Sequence, residues 1–518
     1  MKLGVDFGTT RVVVAAADRG NFPLVVFENG EESAEWFPPL VALRAAENVG
    51  VAEGLPCDRR YGWPAWNVQA ERGWTVVRSL KRYLEDAGPE THLEAGGVSV
   101  LLAGLLEGLM LALKRELAEQ YGAKEAFEVM LGVPAHANSN QRFMTVEAFR
   151  RAGFIVLGVL NEPSAASIEF GHRGQVTGRV LVYDLGGGTF DVSLVDMGVN
   201  THTVVATEGI PWLGGDEFDL ILAEMAVGDA ALAGMDAGEL FRLQEECRRH
   251  KEALHPNSRR MVIDLDSVRE GLGQVTIMAA DYYEQCRPLV DRTVEATARL
   301  AALGPIDSLY VTGGGSELPL VARVLREQFG RKVKRSEYTR SATAIGLAIQ
   351  ADAATGYTLR EVFTRNFGVW REGEGGQRML FDSIFPAGTR LPAVGDEPLT
   401  VTRTYYPVHN IGDFRYIEAS HVDAQGDPTG DITVWDEILF PFDPALAEVK
   451  ALEGVPVERG PGEGQQIEER YSCDSTGIVT VTIRNLSSHY GRQYQLGRWS
   501  GKSKVVKPAA RKRSRGAS

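Results

Sequence analysis

The sequence predicts a mixed α/β region over its first 355 residues, followed by a smaller all-β domain. Three observations carry this. Strand-like and helix-like segments alternate as far as about Gly356. An Asp followed by a glycine turn occurs twice, at Asp6 and Asp184, 178 residues apart. Beyond Gly356, helical periodicity gives way to short alternating segments separated by Gly, Pro and Asp.

Taken in order, Leu3–Phe7 and Arg11–Ala17 are β-branched runs joined by Gly8-Thr9-Thr10, a strand, turn and strand. Ser99–Tyr121 reads as a long helix, Glu128–Val133 as a strand and Asn140–Ala152 as a polar-faced helix. Val180–Asp184 and Thr189–Asp196 repeat the strand, glycine turn and strand. Leu309–Thr312 is a further strand, ending in Gly313-Gly314-Gly315 before a helix that starts near Leu318. The late segments are Leu399–Tyr405, Phe414–His421, Asp431–Phe440, Gln465–Cys473 and Gly477–Asn485.

The chain has 518 residues, enough for several domains. Its net charge of −14 makes it a poor wrapper of nucleic acid. No Asp or Glu follows Asp474, and ten Lys or Arg do, so a nucleic-acid or acidic-partner contact is expected, if anywhere, only at the basic tail. Four scattered cysteines without a CxxC pair argue against a disulfide scaffold or a Cys-rich zinc site. Leu101–Leu113 is the most apolar helical stretch, interrupted by Glu107 and too short for a bilayer. With no secretory signal visible, a reduced, cytoplasmic protein without membrane contact is expected.

The two turns carry the chemistry. Gly4-Val5-Asp6-Phe7-Gly8-Thr9-Thr10 and Asp184-Leu185-Gly186-Gly187-Gly188-Thr189-Phe190-Asp191 each place an Asp at a strand end before glycines and hydroxyls. Glycines let backbone N–H groups close on phosphate oxygens, and Thr hydroxyls add donors. A carboxylate on each hairpin can hold the water shell of Mg²⁺, which keeps most of its waters. The pair suggests two related halves facing each other across a nucleotide cleft. No GxxxxGK[ST] is present, which disfavours a P-loop fold.

Further motifs follow in a set order. Val133-Pro134-Ala135 with Gln141-Arg142, Asn161-Glu162-Pro163-Ser164-Ala165-Ala166, Leu213-Gly214-Gly215-Asp216-Glu217-Phe218-Asp219 and Ala344-Ile345-Gly346-Leu347-Ala348 complete the series. Together with the hairpins, over residues 3–350, they resemble the actin-like ATPase clan and within it the 70-kilodalton heat-shock (DnaK-type) chaperones. The resemblance implies a duplicated actin-like (ribonuclease H-like) ATPase domain over 1–355, a linker at 356–363, a β-sandwich substrate-binding-like domain over 364–490 and a basic disordered tail over 491–518. It implies binding of ATP or ADP with Mg²⁺ and slow ATP hydrolysis coupled to binding of unfolded, apolar peptide segments.

Carried over residue by residue, the resemblance assigns Asp6 and Asp184 to the hydrated metal. It assigns Lys81, Glu162, Thr189 and Asp191 to catalysis. Gly8, Thr9, Thr10, Gly186, Gly187, Gly188, Thr189, Gly214, Gly215, Lys251, His255, Gly313, Gly314 and Gly315 are assigned to the nucleotide. Pro134 and Arg142 match residues that couple nucleotide state to the neighbouring domain. A J-domain co-chaperone and a nucleotide-exchange factor are the implied partners.

Several positions depart from the pattern. Where the family places a Glu, a Lys and an Arg around adenosine, this chain has Arg248, Lys251 and Glu252, so an acid stands where an Arg would stack on the base. Gly315 replaces a serine and Glu317 an arginine, and Gly158 stands where a basic residue meets the J-domain partner. Thr358-Leu359-Arg360-Glu361 replaces a leucine-rich linker ending in Asp, and burying Arg360 there would cost free energy. The carboxy-terminal region resembles the family's sandwich more loosely, and the family's long helical lid has no counterpart. A small-molecule kinase of the same clan and a nucleotide-sensing scaffold without turnover remain open as alternatives.

Overall fold

The first hairpin sets the pattern for the whole α/β region. Lys2–Phe7 and Val12–Ala16 pair antiparallel, and Lys2–Phe7 pairs in parallel with Glu128–Val133, which pairs in parallel with Ile155–Asn161. The second half repeats this arrangement: Gly178–Leu185 pairs antiparallel with Thr189–Met197 and in parallel with Ser308–Thr312, which pairs with Val333–Arg335. Strands such as Val12–Ala16 and Ser308–Thr312 are buried at every residue, because helices cover both faces. The computed structural model describes all residues except 46–56, 70, 89, 175, 374–377, 393–394, 450, 461, 476, 497–504 and 507–518.

Two buried helices, Glu162–Gly174 and Ala342–Ala351, join the halves. Their backbones meet at Gly346, where a Cβ would lie 1.8 Å from the Ala165 carbonyl oxygen. Only a glycine permits that approach, which explains the small residues around it.

The helix expected over Ser99–Tyr121 begins later, at Leu102, because Val98–Leu101 pairs as a strand with His92–Ala95. Val98 and Val100 are buried in a two-residue alternation before the helical period starts. Leu105, Leu106, Leu109, Met110 and Leu113 then pack into the core. No described helix is long and apolar enough to cross a membrane.

Within the segment expected to be a linker, Thr358–Arg360 forms a strand, parallel to Thr201–Thr203, at the edge of the second sheet. Strand alternation buries Leu359 and turns Arg360 to solvent, so the expected cost of burying Arg360 does not arise. Beyond it stand two four-stranded antiparallel sheets. One is ordered Arg378–Phe385, Asn366–Gly373, Ile411–Val422, Pro428–Pro441, and the other Leu399–Tyr405, Ile467–Cys473, Val479–Asn485, Tyr490–Gln495. Phe367, Phe385, Tyr416 and Trp435 of the first share a core with Tyr471, Val479, Val481 and Ile483 of the second, which makes a β-sandwich.

Tyr490–Gln495 is the last strand of that sandwich, which corrects the expectation that a disordered tail begins at residue 491. Of the tail, Val505–Val506 pair with His92–Leu93, and most of the remainder lies outside the described residues. The four cysteines are free thiols.

Candidate active site

The two glycine turns close in the same way. Gly8 N–H donates to the Arg11 carbonyl (3.0 Å), and Gly186 N–H to the Thr189 carbonyl (2.9 Å). The turns face each other across a cleft: a Cβ on Gly187 would meet Thr10 Oγ1 at 2.6 Å, and one on Gly188 would meet Thr9 at 2.6 Å. From below, Gly215 and Asp216 N–H donate to the carbonyls of Gly186 and Gly187, and Arg82 donates to the Gly188 carbonyl. Glu217 accepts from both Arg82 and the Gly214 N–H, so Gly188 and Gly214 support the turn without lining the cleft.

The cleft encloses about 800 Å³ open to solvent. Asp6, Asp184, Lys81, Glu162, Thr9, Thr10 and Thr189 line its deep part, with Gly313 against Asp184 and Gly315 against Gly186; Lys251, Glu252, Gly314 and Arg340 also line it. Lys81 is 5% exposed, although its surroundings in sequence suggest a surface helix. It sits in the short turn Leu80–Leu84, aimed by Ser79, whose left-handed φ of 57° is held by a hydroxyl bond to Asp216 (2.8 Å). Lys81 Nζ donates to Glu162, the first residue of the helix Glu162–Gly174.

The electrostatics of the deep end are unbalanced. Burial and then the Glu162 charge push the Asp6 carboxyl up to about 7, against a lowering by Lys81. Asp184 is also raised well above its ordinary value by burial, with Glu162, Asp6 and Asp191 adding repulsion. Burial disfavours the Lys81 cation, but the charges of Glu162 and Asp6 outweigh it and its pKa rises. Facing carboxylates held above their ordinary range suit a divalent cation. Among the described residues no group of three or more His, Cys, Asp or Glu could hold a metal ion.

Not every expected residue reaches the cleft. Asp191 is buried and does not line it; its carboxylate accepts from His136, at 3.1 Å from the backbone N–H and 2.9 Å from Nδ1. His255 lies beyond the end of the helix Ala237–Glu252, exposed and outside the cleft lining. The helix ends one turn too early to present it. Lys251 does line the cleft, but its ammonium is held by Asp219 and the Gly215 carbonyl, both at 2.7 Å. The residues that sequence reasoning missed are Arg11 and Arg340, which pair with Glu252. An Arg directly after Thr9-Thr10 was the available signal.

A polar chain leads from the deep end to the edge strand. Asn161, directly before Glu162, donates its backbone N–H (2.8 Å) and Nδ2 (2.7 Å) to Glu361 and accepts from Arg142. Ser139 then donates from its N–H and hydroxyl to Glu418 of the sandwich (3.1 and 2.6 Å), and Glu418 pairs with Arg365.

At one end of the sandwich, Met379, Leu380, Tyr406 and Val408 are exposed. Glu372, cross-strand from Met379, reaches His409 at 3.6 Å, which brings that strand pair up to the segment holding Tyr406 and Val408.

Paired strand-turn-strand units with a carboxylate at each strand end, in two halves joined by crossing helices, define an actin-like nucleotide-binding fold. A family model described as Hsp70 protein matches residues 100–366, and the chain belongs to the Hsp70 family. It is 28% identical to a heat shock protein of Pyricularia oryzae, over 94% of this chain and 80% of that protein. It is 29% identical to a chaperone protein HscA homolog of Bordetella petrii (94% and 76%) and 29% identical to a chaperone protein DnaK of Thermotoga maritima (94% and 78%).

Proposed function

We propose that this chain is an ATP-dependent chaperone of the Hsp70 type, in which slow hydrolysis of ATP to ADP and phosphate controls the hold of the sandwich on unfolded polypeptide. Thr9, Thr10 and the N–H groups of Gly186, Gly187 and Thr189 take the phosphates. Lys81, held by Glu162, offers a fixed positive charge to the terminal phosphoryl group, and Glu162 and Thr189 orient the attacking water, with Asp191 fixed behind them by His136. The water oxygen bonds to the terminal phosphorus as the bridging bond to ADP breaks, and the proton leaves to solvent. Mg²⁺ would neutralise phosphate charge, its water shell held by Asp6 and Asp184. The exposed Met379, Leu380, Tyr406 and Val408 offer an apolar surface to an extended peptide.

The observation that carries the coupling is the bond pair from Asn161 to Glu361, one residue from the Lys81–Glu162 pair. Glu361→Ala is expected to leave basal single-turnover hydrolysis near wild type and to abolish its stimulation by an unfolded apolar peptide. Stimulation that survives intact would sink the coupling. A J-domain co-chaperone and an exchange factor suit such a cycle, and their addition to the same assay shows whether either accelerates turnover.

The metal assignment has its own test. A carboxyl raised in the folded protein contributes stability that is present below its unfolded value, near 3.8 for Asp6, and is lost as pH rises through about 7. A cation that displaces those protons restores it. The rise in melting temperature that Mg²⁺ adds over ADP alone should therefore be larger at pH 8 than at pH 5. Equal shifts at both would place the metal elsewhere.

A further inference from the structure

One side of the cleft is crossed by a chain of four charged side chains that starts at the first turn. Arg11, next to the first turn, donates twice to Glu252 (2.9 and 2.8 Å). Glu252 also accepts from Arg340 Nη1 (3.0 Å), and Arg340 Nε donates to Glu317 (2.8 Å), as does its Nη2. All three nitrogens of the Arg340 guanidinium are thus engaged in its own plane. Its orientation is fixed and three of its five N–H donors are committed, which leaves its face open to a ligand. Beneath it the floor is bare backbone: a Cβ on Gly314 would lie 3.7 Å from Arg340 Cγ, so no side chain covers the stem there. Arg340 is 37% exposed and lines the cleft.

The neighbouring cations are committed elsewhere. Lys251 is held by Asp219 and Gly215, and Arg248 by Asp216, Asp219 and Glu245. Few free side-chain groups remain on that side to read the hydrogen-bonding edge of a ring.

A delocalised planar cation with its face free is suited to stacking on a planar heteroaromatic ring. Given the nucleotide reading above, on which this rests, we propose that Arg340, held flat by Glu252 and Glu317, is the residue on which the nucleotide base stacks, and that the site recognises the base by its face rather than its edge. The acid at position 252 then fixes a guanidinium supplied by another segment of the chain. The ligand class is a purine nucleoside di- or triphosphate, with adenine and guanine poorly distinguished.

The test is equilibrium titration of the full chain with ATP, GTP and inorganic tripolyphosphate in the presence of Mg²⁺, for wild type, Arg340→Ala and Arg340→Lys. Wild type should bind ATP and GTP within about tenfold of each other. Arg340→Ala should weaken both by about tenfold, the scale of one partly desolvated cation–π contact, and leave tripolyphosphate unchanged. Arg340→Lys keeps the charge without the plane and should not rescue. Equal losses for tripolyphosphate, unchanged nucleotide affinity in Arg340→Ala, full rescue by lysine, or a wild-type preference for ATP above about a hundredfold would each overturn the proposal. Should wild type bind none of the three, the nucleotide reading itself falls, an outcome distinct from these. Glu317→Gln loosens the guanidinium from one side and should give a smaller loss of ATP and GTP affinity, again with tripolyphosphate spared; it serves where Arg340→Ala does not fold.

Discussion

Replacing Lys81 by Gln is expected to slow single-turnover hydrolysis of bound ATP by about 100- to 1,000-fold, the scale of withdrawing one preorganised charge or donor from a developing anion. The expectation follows from placement. Lys81 is 5% exposed and bonded to Glu162, and its charge also acts on Asp6 and Asp184. In that setting a lysine cannot act as a solvated surface charge, since water screens it little. Its removal also leaves Glu162 among facing carboxylates, and breaking a buried pair costs roughly 3–5 kcal/mol when the remaining charge finds no partner. Glutamine keeps a hydrogen-bond donor, and Glu162 can answer by retaining a proton. Rapid-quench measurement of the bound ATP decay, beside titration of ADP affinity, separates the two effects. A rate within threefold of wild type would remove Lys81 from the machinery. A lost rate with ADP affinity intact would place it on the transferring group.

The parts of this site that sequence exposes are those whose chemistry is local. Asp6 with Gly8-Thr9-Thr10, and Asp184 with Gly186 to Thr189, are each written within a few residues, because a turn that closes on phosphate needs its glycines and hydroxyls side by side. The order of the later motifs carried the two halves in the same way, and the alternating segments beyond Gly356 carried the sandwich. What sequence could not show is contact across distance. Arg11 and Glu252 are 241 positions apart, and Arg340 and Glu252 are 88 apart, so the chain that crosses the cleft has no pattern to read. Spacing alone cannot tell where a helix stops, so it did not show that His255 lies beyond the helix that carries Lys251. Lys81 sits in a turn without periodicity, aimed by one left-handed serine, and only its resemblance to a family position drew attention to it. The edge strand Thr358–Arg360 is three residues long, too short for alternation to declare itself. Its single inward side chain, Leu359, decides the register, and that becomes visible only beside Thr201–Thr203.

Acidification is expected to release that edge strand, through His202. The imidazole is fully buried directly across from Leu359 in the register, on the strand Thr201–Pro211. Nδ1 meets Ser167 Oγ at 3.0 Å, and Nε2 is buried without a hydrogen-bond partner. Gly171 packs against it closely enough that a Cβ there would stand 2.8 Å from Cε1 and Nε2, so no water fits between. Tyr357, directly before the edge strand, presents its ring to both His202 (5.6 Å) and His172 (5.7 Å), the titratable neighbours on that side. No carboxylate charge compensates, and burial alone pulls the His202 pKa down to about 4. The sign follows from linkage: the docked state keeps the ring neutral, while an undocked state takes a proton near the ordinary 6.5. Docking is therefore at full strength above about pH 6.5 and weakens as pH falls toward 4, by at most roughly 3 kcal/mol. At pH 5.5 the loss should be about tenfold in the docking equilibrium. Hydrogen exchange of the Thr358–Arg360 amides, corrected for the intrinsic pH dependence, reads this directly. His202→Phe fills the same space without a titrating group and should flatten the profile. A profile unchanged by that substitution would show that the strand is held independently of the ring, and would leave the Asn161–Glu361 bonds as the contact that decides when the strand lets go.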